Sequence, residues 1–474
     1  MIRSLLNFFT RYHPRYLRSL VYMLQASEYN VGDFFTWYQR TSDFLHVEKR
    51  KQITWSAKAR VLWVLGFIVS AAWVLATLAV LFHSIFLGAL MALMSPFMIA
   101  LCLGFITYLL KLVQWPMEHA MIRKAKAKLA QHKAVKIAIA GSYGKTSMRE
   151  VLKTILAEGK KVAAPPGSYN TPLGISTFIQ GLTGEEEVLI FELGEYYPGD
   201  VRHLCEFVEP DMGIITGINE AHLEKFKTLD ATTATIFELA DWLKEKPLYV
   251  NGENTLAQEK AQGKYILYTR KGAGEWRIGC ETTNLERTSF ALYSDKEAIL
   301  CHSGLLGLHM LGSLAAAADI AIHFGLTPKQ IQVGIAKTRP FSHRLEKRVD
   351  ANGVIMLDDS YNGNPDGAKA VIAFLGSLLG MRRWYVTPGL VEAGARVEEV
   401  HCTIGKQLAA AGIEKVVLMK NSVGPFIEKG LTDAGFKGEI IWFKDMPAFL
   451  SAMSTITLPG DVVLIQNDWP DQYA

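Results

Sequence analysis

The chain has 474 residues, half of them hydrophobic, and a formal net charge of +4. That length supports two or three domains with their own cores, and so small a charge excess gives no argument for a nucleic-acid partner. Five cysteines (Cys102, Cys205, Cys280, Cys301 and Cys402) stand far apart with no CxxC pair, which fits a reduced compartment and argues against structural zinc or disulfides.

The first segment, residues 1–57, interleaves Arg3, Arg11, Arg15 and Arg18 with Leu, Phe and Tyr. A basic amphipathic helix pair on anionic lipid suits this pattern, and so does a small helical domain docked on the rest of the chain. A hairpin is expected over 58–113: residues 61–82 and 85–110 carry no Asp, Glu, Lys or Arg. Each run is long enough to cross a bilayer, which takes about 20 residues. Pro96 is expected to kink the second run, which neighbouring groups can accommodate in a membrane helix. Lys49, Arg50, Lys51, Lys58 and Arg60 precede the hairpin, and Lys111, Arg123, Lys124, Lys126 and Lys128 follow it. The turn between has no Lys or Arg, so the positive-inside rule puts both termini and all later domains on the cytoplasmic side of the inner membrane. Trp63 and Trp115 stand where interfacial aromatics anchor a span, and residues 114–133 read as a basic linker helix.

From residue 134 the pattern changes to short β-rich runs alternating with helical stretches. Strands are predicted at 135–140, 187–193, 212–218 and 247–250, then at 353–359, 383–387, 415–419, 439–443 and 461–466. Two such series imply two α/β domains built on parallel sheets, 134–343 and 344–474.

Between the first strand and a helix starting near Lys145 lies "GSYGKTS", residues 141–147. The ordinary phosphate-loop pattern would place a glycine at 139, where Ile139 stands. Strand, glycine turn, Lys-Thr and helix start nevertheless form the context such a loop needs: backbone N–H groups of Gly141, Ser142, Tyr143, Gly144 and Ser147 and the positive helix end can cradle phosphate. Lys145 can reach the β- and γ-phosphates and Thr146 can place its hydroxyl on Mg²⁺. Glu192 emerges at the carboxyl edge of the sheet, where ligands bind in open α/β sheets and where a carboxylate suits Mg²⁺. His222 follows the next strand at the same edge. "LDDSYNGNP", 357–365, closes a strand of the second series with Asp358 and Tyr361, although a stretch so rich in Asx and Pro can also be a plain turn.

Six ordered segments over 134–474 together resemble the Mur ligase family, most closely its MurF branch. They are "GSYGKTS", "YNTPLGI", "FELGEYYPGD", "AHLEKF", "DDSYNGNP" and "TPGLVEAG" with "HCTIGKQLA". The out-of-step loop is that family's own form. The resemblance implies a central P-loop ATPase domain and a C-terminal Rossmann-like domain, using ATP and Mg²⁺ to activate a carboxylate as an acyl phosphate for attack by an amine. It also implies roles. Lys145 and Thr146 would hold the phosphates and the first Mg²⁺, with Glu192 as its carboxylate ligand. Asn170 would lie at the γ-phosphate region and His222 at a second metal, while His309 would stand near the adenine. Arg344, Asp358 and Tyr361 would close over the nucleotide. The acceptor would be a cell-envelope precursor, free or lipid-linked, and the amine an amino acid or dipeptide. Membrane lipids and other envelope-biosynthesis proteins are further expected partners. A poly-amino-acid synthase, a glutaminase-partnered amidating ligase and a nucleotide-binding membrane scaffold stay open beside this.

Three departures from the family pattern stand out. Ile236 occupies the position of the carbamylated lysine two residues before Glu238, so the side chain that would help hold the family's usual second metal is replaced by an apolar one. The segment near the adenine keeps Gly307 and His309 but has Met310 and Ser313. In "TGINEAH" the family's asparagine position is Gly217, with Asn219 two residues later.

Overall fold

The computed structural model describes residues 8–48, 52–167, 169–219, 226–295, 297–361, 363–391 and 396–467. The chain divides into two compact units, one within residues 1–120 and one within 121–468.

The first unit is helical: α1 (Tyr16–Ala26), α2 (Val31–Arg40), α3 (Ala57–His83) and the start of α4 (Ile85–Ala130). Asn30 starts α2 by accepting from the Gly32 and Asp33 N–H groups, and Ser56 starts α3 by accepting from the Ala59 N–H at 3.2 Å. The N-terminal segment does not lie alone. Leu20, Leu24, Phe34 and Phe44 are fully buried in one cluster with Leu62 of α3 and Leu103 of α4. Away from that cluster the hairpin is bare, with Phe82 90% and Ile85 79% exposed. The stretch 114–133 is not a separate helix, because α4 runs unbroken through Pro96 and Pro116. Its last turns place Ala125 and Leu129 in a core of the second unit.

The second unit carries two sheets. In the first, β1 (Val135–Ala140), β2 (Val162–Ala163), β3 (Val188–Glu192), β4 (Met212–Ile215), β5 (Leu248–Asn251) and β6 (Ile266–Thr269) are parallel, in the order β6-β5-β4-β1-β3-β2. Side chains alternate across β1. Ile137 and Ile139 pack with Leu152 and Ile155 of the helix Lys145–Leu156, while Ala138 and Ala140 face the other core. The isoleucine at 139 is therefore the last core residue of the strand, and the loop begins after it.

The sheet is larger and more mixed than the purely parallel one expected. An antiparallel meander continues it past β6: β7 (Gly272–Ala273), β8 (Trp276–Thr283), β9 (Thr288–Tyr293) and β10 (Ala298–Ser303). The second sheet has the order β11-β12-β16-β13-β14-β15, comprising Glu346–Val349, Ile355–Asp359, Val462–Gln466, Arg383–Thr387, Lys415–Met419 and Glu439–Phe443. Only its edge strand β11 is antiparallel among the described residues.

Candidate active site

The loop after β1 is held by the end of β4. Ser142 N donates to Gly217 O at 2.7 Å, and the Thr216 hydroxyl donates to the Tyr143 carbonyl. Gly141 has φ +142, and a Cβ there would overlap Thr216 Oγ1, so only glycine permits this close approach. Gly144, with φ +81, leads into the helix Lys145–Leu156 without any side-chain cap, leaving the helix N-terminal N–H groups for an anion.

Two carboxylates from the end of β3 meet this loop. The Thr146 hydroxyl donates to Glu192 Oε2 at 3.0 Å. Glu192 Oε1 is buried and faces Arg149 Nη1 at 2.7 Å without a well-aligned hydrogen bond. Lys145 Nζ donates to both oxygens of Glu195, at 2.9 and 2.8 Å, and to the Gly141 carbonyl. Burial pushes both glutamates above the ordinary carboxylate range, opposed by Arg149 and Lys145 at Glu192 and by Lys145 at Glu195. Asn170 lies alongside, its carbonyl accepting from Gly194 N at 3.0 Å.

A cavity of about 280 Å³ adjoins the loop. Tyr143, Gly144 and Ser147 line it, as do Glu253, Tyr268, Arg270, His309, Met310 and Ser313. The 344–467 segment closes it with Arg344, Asp359, Asn364, Asp366 and Lys369. His343 (φ 63) and Leu345 (φ 49) are both left-handed, and this strained turn presents Arg344 to the cavity. The Arg344 guanidinium lies 5.0 Å from the centre of the Tyr361 ring. Burial lowers its pKa, opposed by Asp359, and burial pushes Asp359 up to about 6, opposed by Arg344. Burial, with Arg270 nearby, pushes the His309 imidazole down to about 4, so the ring is neutral at pH 7; its buried Nδ1 has no hydrogen-bond partner.

Of the residues singled out in the sequence, Gly141–Ser147, Asn170 and Glu192 converge at the loop, and His309 and Arg344 line the cavity. Asp358 does not. It pairs with His343 Nδ1 at 2.9 Å, and its neighbour Asp359 takes the place in the cavity wall. Tyr361 contacts the site through Arg344. His222 lies outside the described residues. Ile236 is fully buried in the apolar core, and Glu238 accepts from Arg202 N at 2.9 Å. Further toward the C-terminus, His401 accepts from Leu390 N at 2.9 Å, joining the "TPGLVEAG" and "HCTIGKQLA" segments.

Residues not singled out complete the site. Glu195 stands inside "FELGEYYPGD" and Asp359 inside "DDSYNGNP", so both were within reach of the sequence. Arg149, Asp366 and Asn254, whose Nδ2 donates to the Tyr143 hydroxyl at 3.4 Å, carried no local signal. Hard oxygen donors on Thr146 and Glu192, beside an uncapped helix start and Lys145, suit a magnesium-bound polyphosphate. The buried Glu192 Oε1, lacking a well-aligned donor, supports that fit.

Residues 139–321 match the Mur ligase middle domain, and residues 343–466 match the Mur ligase glutamate ligase domain. The UDP-N-acetylmuramoyl-tripeptide–D-alanyl-D-alanine ligase of Mycobacterium tuberculosis is 26% identical over 354 residues, covering 70% of this chain and 69% of that one. The ligase of the same name from Escherichia coli is 26% identical over 341 residues, covering 69% and 72%. Among solved structures, MurF from Acinetobacter baumannii superposes with a TM-score of 0.65 at 20% identity, covering 74% of this chain and 77% of that one. MurF from Thermotoga maritima in complex with ADP gives 0.64 at 23% identity, covering 74% and 80%. At these identities the structures establish a shared fold.

Proposed function

Because the chain belongs to the Mur ligase family of ATP-dependent amide ligases, we propose that it is a membrane-anchored ligase joining an amine to a cell-envelope peptide precursor. The relatives' names suggest the substrate class: a UDP-linked muramoyl tripeptide as carboxylate acceptor and D-alanyl-D-alanine as amine. The observation that carries the reading is the meeting of Lys145, Thr146 and Glu192 at the loop, beside a cavity that Arg344 and Asp359 line together with Tyr143, Gly144 and Ser147.

Bound Mg-ATP supplies the phosphoryl group that activates the carboxylate and the charge that eases its transfer, leaving ADP, phosphate and an amide. The protein's part is positioning and neutralisation. Loop N–H groups and the Lys145 ammonium bind phosphate oxygens, and Thr146 and Glu192 hold the cation. Neutral His309 and the apolar Leu305 and Leu306 shape the base end of the cavity. Arg344 brings positive charge from the second sheet's domain, so the site is complete only when the two domains face each other across the cavity.

Anchoring rests on α3 and α4. Only 6% of the most apolar stretch of α3 and 17% of that of α4 is buried, a bare apolar surface too large for a water-exposed hairpin. Residues 1–138 precede the matched family domains. A lipid-linked acceptor presented at the cytoplasmic membrane face is consistent with an anchor there.

The test is ADP release by detergent-purified protein given Mg-ATP, a panel of amines, and either a lipid extract of envelope precursors or soluble UDP-linked peptide. Turnover is expected to need both an acceptor and one amine. Lys145→Ala is expected to lower it about 10²–10³-fold, the scale for loss of one preorganised charge-stabilising group. Turnover with the soluble acceptor alone would sink the lipid-linked part. Nucleotide binding with no amine-dependent turnover in any mixture would sink the ligase and favour the scaffold, the reading that buried Ile236 supports.

A further inference from the structure

A lysine ammonium has three N–H donors and no acceptor. In Lys145 all three have partners inside the protein: the Gly141 carbonyl and the two Glu195 oxygens. The pair is largely buried, with side chains 12% and 3% exposed. Both Glu195 carboxylate oxygens accept from Lys145, and the carboxylate also accepts from its own backbone N–H. Glu195 is also set apart from Glu192, which faces Thr146 and Arg149. The loop lysine is thus already neutralised at short range, in a place where water competes weakly.

We infer that Glu195 is a positioning residue that withholds Lys145 from the nucleotide, so that a polyphosphate binds only by taking the lysine from this carboxylate. The inference rests on the reading of 141–147 as the nucleotide loop. Two consequences follow from the charges. The Glu195 carboxylate competes with phosphate oxygens for the same N–H donors, and its negative charge also opposes their approach. Both act where the outer phosphates lie and neither acts at the base.

The experiment measures binding of ADP and of adenosine to the full detergent-solubilised chain in EDTA, by calorimetry, for wild type and Glu195→Gln. Gln keeps the shape and one acceptor oxygen while removing the charge. The expected result is ADP affinity raised at least about ten-fold with adenosine affinity unchanged within about two-fold, since a general disturbance of the cavity would move both ligands together. Unchanged or weakened ADP binding, or equal shifts for ADP and adenosine, overturns the inference. Glu195→Ala carries the same expectation and serves if the Gln variant does not fold; if neither folds, the pair is a folding determinant and the inference falls. Wild type that binds adenosine and ADP equally overturns the nucleotide-loop reading itself, and this inference with it.

Discussion

Tyr143 and Gly217 show how one side chain sets the identity of another. A Cβ at Gly217 would fall inside the Tyr143 ring, whose hydroxyl lies 3.4 Å from Asn254 Nδ2. Burial and the Asp366 carboxylate raise the Tyr143 phenol above its ordinary value, so it stays a neutral donor. The glycine that departs from the family's asparagine is therefore the space the loop tyrosine fills. Gly217→Ala is expected to cost about 1–3 kcal/mol by overpacking. Tyr143→Ser in the same chain should recover most of that loss, and a double-mutant cycle in urea unfolding that shows no coupling would break the pairing.

His309 makes a prediction about pH. The folded chain holds the ring well below its ordinary value of 6.5, at about 4. Folding therefore favours neutral His309, and its contribution is complete above pH 6.5 and is lost as pH falls toward about 4. His309→Leu should flatten the fall in Tm over that window. Parallel Tm profiles for variant and wild type would assign the acid loss elsewhere.

Among the elements, α4 is the one whose continuity needs explaining. Pro96 removes the N–H that would bond the Ala92 carbonyl, and the Ser95 hydroxyl donates to that carbonyl at 2.8 Å instead. The Tyr12 and Tyr16 hydroxyls donate to the Leu93 and Pro96 carbonyls at 2.6 and 2.9 Å. The N-terminal helices are thus tied to the turns around Pro96 by polar contacts as well as by apolar packing. Tyr16→Phe removes the bond to Pro96 and the 3.0 Å contact with the Tyr38 hydroxyl, and should cost about 1–3 kcal/mol in thermal unfolding in detergent. No change would mean that water satisfies these groups. The meander β7–β10 escaped the sequence reading for a different reason. A register shift interrupts β8 between Gly279 and Thr282, and Cys280 takes φ 55, so the strict alternation that marks a strand is broken midway.

For the whole molecule, the proposed anchor makes a direct prediction. Val74, Leu75 and Leu78 are 55%, 68% and 48% exposed near the middle of α3. Replacing Leu75 and Leu78 with Arg should cost about 2.5–3.5 kcal/mol each on insertion, shifting the chain out of the carbonate-resistant membrane pellet. Wild type that carbonate extracts fully would remove the anchor from the proposal.

Signals confined to a few consecutive residues were legible in the sequence alone. The strand 135–140, the helix start at Lys145, the uncharged runs of the hairpin and the acid closing β3 all follow from periodicity, glycine placement and length, which need no knowledge of distant partners. Tertiary structure decided what those signals meet. Asp358 and Asp359 are adjacent and chemically alike, yet side chains alternate along β12, and its pairing with β11 on one side and β16 on the other fixes which of them faces the cavity. The same holds for Glu192 and Glu195, two acids three residues apart: the turn after β3 gives Thr146 to one and Lys145 to the other. The sequence contains both carboxylates, but partner choice depends on how β1, β3 and β4 align side by side, and that register is a property of the folded sheet.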